Sequence, residues 1–244
     1  MNFRNCDGGL VADRIIQVII ENKQRLTDID GAIGDGDHGI NMSKGMHVAE
    51  EALKDTTYGM SKGLQVIQEA LMNKIGGSMG PLYGMVFKGF VDASKKENVI
   101  TGEVVKNMLE KALKNLQIIT DAAEGDKTLL DVICPSMRAY RDVFRQTGHM
   151  KHALIALKLA ADVGVEQTKE MIARIGRASR LGERSRGYQD AGATSCALIL
   201  NAMADAMIEL AERNQKCRDE DIVVLRQFLN RELIYGASQQ EPVK

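Results

Sequence analysis

The amino-acid sequence predicts an all-α protein, an antiparallel bundle of about eight helices with one extra helix at its C-terminal end. Three observations carry this. Three prolines, no tryptophan and few aromatics among 244 residues, alongside 13 methionines, favour helix over sheet. Apolar residues recur with the helical period in segment after segment. The segments are separated by polar, glycine-rich junctions, and in an up-and-down bundle alternate junctions lie at the same end.

The helices follow in order. Leu10 to Leu26 carries Leu10, Val11, Ile15, Val18, Ile19 and Ile20 against Asp13, Arg14, Glu21 and Lys23, an amphipathic helix. Ile40 to Leu53 and Ser61 to Ile75 are the next two, the latter stopped by Gly76-Gly77. Pro81 suits the first turn of a helix that continues from Leu82 to Ala93. Glu103 to Ile118 is amphipathic, and Leu129 to Phe144 tolerates Pro135 as a kink. His149 to Arg174 reads as one long helix and Ser195 to Leu210 as a small-residue apolar one. No linker or internal repeat divides the chain, so residues 1–214 form one domain. In the extension, 215–244, Asp219 to Ile234 has a helical apolar pattern and a polar tail follows.

A near-balanced charge, −1 formally, gives no electrostatic footprint for nucleic acid or an anionic membrane surface. No run of 18 apolar residues suggests a span, and MNFRNCDGG lacks the apolar core of a signal peptide. Cys6, Cys134, Cys196 and Cys217 are scattered without metal or disulfide spacing, as in a reduced cytoplasmic protein.

The chemistry concentrates in Thr27 to Asn41, TDIDGAIGDGDHGIN, with four carboxylates, four glycines and one histidine and no hydrophobic period, which reads as a loop. Carboxylates this close repel unless a cation sits between them, and Mg2+ is held by one or two carboxylates plus substrate phosphates. Glycines let the backbone approach a ligand, and the helix beginning past Gly39 would aim its free N–H groups at it. The residues thus point to a carboxylate–metal–phosphate site, with a solvated acidic turn as the plain alternative. Two other motifs fail. Gly34 to Gly39 matches G-x-G-x-x-G, but no strand precedes it and two aspartates fill the pyrophosphate cradle. The EF-hand pattern breaks at Gly39 and Met46. Two further junctions could share the pocket: GGSMGP at 76–81, and the stretch 176–194, where Arg177, Arg180, Arg184 and Arg186 (with Arg174 just upstream) suit phosphate oxygens.

GDGDHGINM, GGSMGPLYG, EGDKTLLDV and GRASRLGERSRGYQDAGATS, in this order and spacing, resemble the nucleotide-binding L subunit family of dihydroxyacetone kinases over about residues 7 to 212. The resemblance implies an eight-helix antiparallel barrel with ADP or ATP bound at one end through two Mg2+ ions. Asp30, Asp35 and Asp37 match the metal ligands. His38, Gly39, Ile40 and Asn41 match the phosphate-holding segment, and Ser78 and Met79 fall on the second phosphate loop. Where Met79 stands the family usually has a serine, leaving backbone N–H contacts there. Thr120 and Leu129 match the adenine end, Arg177 the arginine beside the nucleotide, and Asp190, Ala191 and Gly192 the segment closing the site. The implied partners are a K-type subunit that holds the sugar through a histidine and an M-type phosphotransferase-system subunit, charged from phosphoenolpyruvate, that recharges bound ADP. Alternatives within the family's reach are an ATP-exchanging kinase for another small ketose, and a nucleotide-binding module that engages a transcriptional regulator. His38 is placed for a nucleotide contact rather than as a base, whereas His47, His149 and His152 lie on helix patterns.

Overall fold

The structure is a computed structural model that describes the backbone of residues 1–236 and the side chains of residues 1–216. Nine α-helices lie among the described residues: α1 (Leu10–Glu21), α2 (Lys23–Ile33), α3 (His38–Leu53), α4 (Met60–Lys74), α5 (Met79–Ser94), α6 (Gly102–Ile119), α7 (Leu130–Thr147), α8 (Met150–Gln167) and α9 (Ala191–Gly236). Each of α3 to α8 packs on the next, and α1 packs on both α9 and α3, so eight helices close a ring. The short α2 lies outside that ring, against α3 and α9. A two-residue antiparallel pairing of β1 (Phe3–Arg4) with β2 (Val99–Ile100) ties the N-terminus to the α5–α6 connection.

The ring's inner faces form one apolar core. Met42, Met46, Met60, Met108, Met203 and Met207 are all fully buried, which accounts for much of the methionine content. Unbranched, flexible side chains fill the irregular gaps where eight helices converge. Cys134 and Cys196 are buried free thiols and Cys6 is exposed; Cys217 lies outside the described side chains.

The structure redraws several boundaries. Leu10 to Leu26 is not one helix: Asn22 leaves helical geometry and donates its side-chain amide to Val18 O at 2.8 Å, and α2 starts anew at Lys23. Thr27 to Ile33, expected as loop, is the body of α2, with Gln24 bonded to Asp28 across one turn at 2.7 Å. Helix α7 runs unbroken through Pro135. Helix α8 ends well short of Arg174, because the Thr168 hydroxyl turns back to Val165 O at 2.6 Å and Met171 is extended. The C-terminal segment is not a separate helix, since α9 continues through it to Gly236; the polar tail from 237 onward lies outside the described residues. The first 26 residues of α9 are long and apolar enough to cross a membrane by length and composition alone. Its apolar window is interrupted by charge, so the expectation of no run of 18 apolar residues stands, and 67% of that window is buried inside the protein, as suits a core helix.

Candidate functional site

Alternation around the ring places the N-termini of α3, α5, α7 and α9 at one end, where a cavity of about 240 Å³ opens. Its lining draws on all four junctions, including Asp30, Asp35, Asp37, His38 and Asn41 from the first, Gly76 to Met79 from the second, Lys127 to Leu129 from the third, and Ile175 to Ala178 with Asp190 to Gly192 from the last. Helix N-termini present unpaired N–H groups and the positive end of the dipole, so this end suits an anion.

The acidic group is built by a helix end and a tight loop. Helix α2 stops at Gly34, where any side chain would collide with the Asp30 carboxylate, and Gly36 takes a left-handed φ of +74°. The turn brings one carboxylate oxygen from each of Asp30, Asp35 and Asp37 within 4.8 Å of the others. Asp30 also accepts from the His38 backbone N–H at 3.2 Å, fixing the start of α3 against the end of α2. Arg177 reaches across: one guanidinium nitrogen contacts Asp35, and the other lies 3.8 Å from Asp37. The guanidinium stands where a cation must stand if three carboxylates are to share one place. This donor set, hard oxygens only, fits Mg2+.

Behind the acids lies a buried polar chain. His38 Nε2 meets Ser195 Oγ at 2.7 Å, Ser195 Oγ meets the Tyr83 hydroxyl at 2.5 Å, and Tyr83 donates to Gly192 O at 2.8 Å. Burial lowers the His38 imidazole to about 4 and holds the Tyr83 hydroxyl well above the usual tyrosine range. Asp190 caps α9, accepting from Ala193 N at 2.7 Å; burial pushes its carboxyl up to about 6. In the third junction Asp131 accepts from the N–H groups of Gly125 at 2.5 Å and Thr128 at 2.7 Å. That turn leaves Lys127 in a left-handed conformation, φ +61°, with its side chain buried.

Of the residues singled out from sequence, Asp30, Asp35, Asp37, His38, Asn41, Ser78, Met79, Leu129, Arg177, Asp190, Ala191 and Gly192 all line the cavity. Gly39, Ile40 and Thr120 do not. Gly39 packs under α2, where a Cβ would lie 2.1 Å from Lys23 O. Ile40 is 49% exposed and turns to the outer groove beside Lys23 and His47. Thr120 ends α6, its hydroxyl accepting from Ala122 N at 3.1 Å. Arg177 is also the one arginine of its cluster that reaches the lining. Sequence reasoning passed over Tyr83, Lys127 and Ser195. Tyr83 lies one helical turn past Met79 and Ser195 one turn past Ala191, so helical spacing from the flagged residues could have found both; Lys127 was the lone cation of an acidic junction.

Residues 32–205 match the DAK2 domain. The chain belongs to that family. It is 35% identical over 184 residues to "PEP-dependent dihydroxyacetone kinase 1, ADP-binding subunit DhaL" of Listeria innocua, spanning 75% of this chain and 87% of that one. It is likewise 35% identical over 187 residues to the "PEP-dependent dihydroxyacetone kinase, ADP-binding subunit DhaL" of Escherichia coli, with 75% and 88% spanned. The dihydroxyacetone kinase of C. freundii, solved in complex with AMP-PNP and Mg2+, shares the fold, with a TM-score of 0.60 at 20% identity over 84% of this chain and 35% of that one. DAK2 membership and these relatives make the chain a subunit of the kinase class of phosphotransferases.

Proposed function

We propose that this chain is the ADP-carrying subunit of a dihydroxyacetone kinase, passing a phosphoryl group to a ketose held by a separate K-type subunit. The observation that carries the reading is the cluster of Asp30, Asp35 and Asp37, with Arg177 bridging two of them, at the mouth of a cavity ringed by four helix N-termini. Relatives named as ADP-binding subunits of phosphoenolpyruvate-dependent kinases favour ADP as a resident cofactor, recharged by an M-type phosphotransferase-system subunit. The module is residues 1–214, the remaining residues an extension, and the setting is cytoplasmic.

Two Mg2+ ions at the three aspartates would neutralise the nucleotide's phosphate oxygens, the main requirement of phosphoryl transfer. The chain's own residues supply position and charge. Asp30 would help hold the cation, and its bond from the His38 N–H ties the α3 N-terminus to the acidic cluster. Backbone N–H groups at Gly76 to Met79, which line the cavity, would face the phosphates, and Gly77, at φ +71°, allows the turn. Arg177, released from Asp35 and Asp37, is free to form paired hydrogen bonds to phosphate oxygens. His38, neutral and bonded to Ser195, supports the wall and removes no proton. Leu82 and Leu129 give the apolar surface for a base. Chains named L- or D-erythrulose kinase are 29% and 31% identical to this one, which keeps a four-carbon ketose open as acceptor. A module regulating a transcription factor would use the same pocket without turnover.

The test is to purify the protein without added nucleotide, denature it and identify what is released. Near-stoichiometric ADP, retained through dialysis until Mg2+ is chelated, is the expected result. Asp35→Asn and Asp37→Asn should each weaken Mg·ADP binding by about 100-fold or more, since losing a ligand costs no less than losing one of its hydrogen-bond partners, about 10–100-fold. An empty protein that exchanges ATP reversibly would favour the ATP-dependent reading, and no nucleotide binding with Mg2+ present would defeat both.

A further inference from the structure

Between α8 and α9 the chain makes a long excursion that carries Arg177 to the cavity. This strap leaves at Thr168 and returns at Tyr188, passing through short 3-10 turns at Thr168–Glu170 and Arg177–Ser185. Within it, Ser185 Oγ accepts from Ala173 N at 2.9 Å and donates to Gly182 O at 2.6 Å, and Ser179 donates to Gly176 O at 2.7 Å; Arg174 N–H donates to Asp126 O at 3.2 Å, and Arg177 meets Asp35. A separate set of bonds closes its neck. Gly187 N–H donates to Lys169 O at 2.7 Å, and Asp190 N–H donates to the Thr168 hydroxyl at 3.0 Å. At the centre of the neck the Lys127 ammonium donates to Thr168 O and to Tyr188 O, both at 2.5 Å, and so joins the two ends of the strap.

We propose that Lys127 is a positioning residue: by clipping the neck of the 168–188 strap it holds Arg177 over the cavity and sets how slowly a bound Mg·nucleotide leaves. The proposal rests on the nucleotide-binding reading above. Lys127 is 1% exposed and no carboxylate pairs with it directly among the described residues. Burying an ammonium on carbonyls alone costs stability. Burial holds the ammonium below the usual lysine range against the attraction of Asp190, Asp131 and Glu170. The local backbone is also unfavourable, since a non-glycine residue at φ +61° is uncommon, and the two Asp131 bonds hold it there. A costly residue in a costly conformation is explained by what its three donors can do: bridge two carbonyls that one strand of backbone cannot bridge for itself.

The strap carries five arginines, Arg174, Arg177, Arg180, Arg184 and Arg186, so trypsin reads its closure. In Lys127→Met, cleavage at these five sites should be at least about tenfold faster than in the wild type, as loss of hydrogen bonds to a charged donor implies. Release of Mg·ADP should accelerate by a similar factor, with the association rate little changed and the melting temperature of the ring within a few degrees. Thr168→Val, which removes the neighbouring hydroxyl from the neck, should move both readouts in the same direction and serves if Lys127→Met fails to fold. Unchanged strap cleavage and unchanged ADP release would overturn the proposal. So would faster cleavage spread evenly over the whole chain, which would make Lys127 an ordinary core residue. If the wild type binds no Mg·ADP, the functional reading fails, and the ratio of strap cleavage rates alone still decides whether Lys127 closes the neck.

Discussion

Asp190 and His38 line the same cavity and are displaced from their ordinary protonation behaviour in opposite senses of stability. The His38 imidazole, lowered to about 4, is neutral in the fold, so its contribution is present above the ordinary histidine value and is lost as pH falls from about 6.5 to 4. The Asp190 carboxyl, raised to about 6, is strained as an anion. Its penalty is present above pH 6 and is relieved as pH falls toward the ordinary carboxylate value. Each amounts to about 3 kcal/mol, so in the wild type they largely offset one another. Asp190→Asn should therefore steepen the loss of thermal stability between pH 6.5 and 4, and His38→Gln should flatten or reverse it. Melting temperature measured against pH for the three proteins checks this; two difference curves that stay flat would refute it.

At the scale of the element, the close approach of α2 to α3 decides whether the acidic cluster forms. At Gly39 an added Cβ would lie 2.1 Å from Lys23 O and 2.6 Å from Thr27 N, both backbone atoms of α2 that cannot swing aside. Gly39→Ala should cost about 3 kcal/mol or more and push α2 away, weakening Mg·ADP binding as well as stability; chemical denaturation and nucleotide titration on the same preparation would show both. Helix α2 is also the element that the sequence concealed. Only Leu26 and Ile33 of its residues are buried, so it has no apolar stripe, and TDIDGAI read as loop although its backbone is helical. The amphipathic helices were legible because each buries a full face in the ring, as Val104, Val105, Met108, Leu109, Ala112 and Leu116 do on α6. The end of α8 was illegible because the turn at Thr168 is held by bonds from Lys127 and Asp190, distant in sequence, as well as by its own bond to Val165 O.

Over the whole molecule, alternation along the chain was enough to expect three polar junctions at one end, and the cavity draws its lining from those three and from a fourth, at Lys127 to Leu129. The acids were visible because four carboxylates in so short a stretch have few uses. Helical spacing marks the positions of Tyr83 and Ser195, and Lys127 stands out as a lone cation, but the bond between the two hydroxyls and the two carbonyls that the ammonium meets are brought together only by folding. The ring closes where α1 meets α9, and Asn214 donates to Asn2 O at 2.8 Å, at the end away from the cavity. A closed ring has no first helix. If a short flexible linker joins residue 214 to residue 2 and the chain is reopened at Gly148, in the exposed turn after α7, every helix keeps both neighbours. Such a circular permutant should fold to the same helix content by circular dichroism and still retain Mg·ADP. The pocket would then be a property of who stands beside whom, indifferent to which helix is synthesised first.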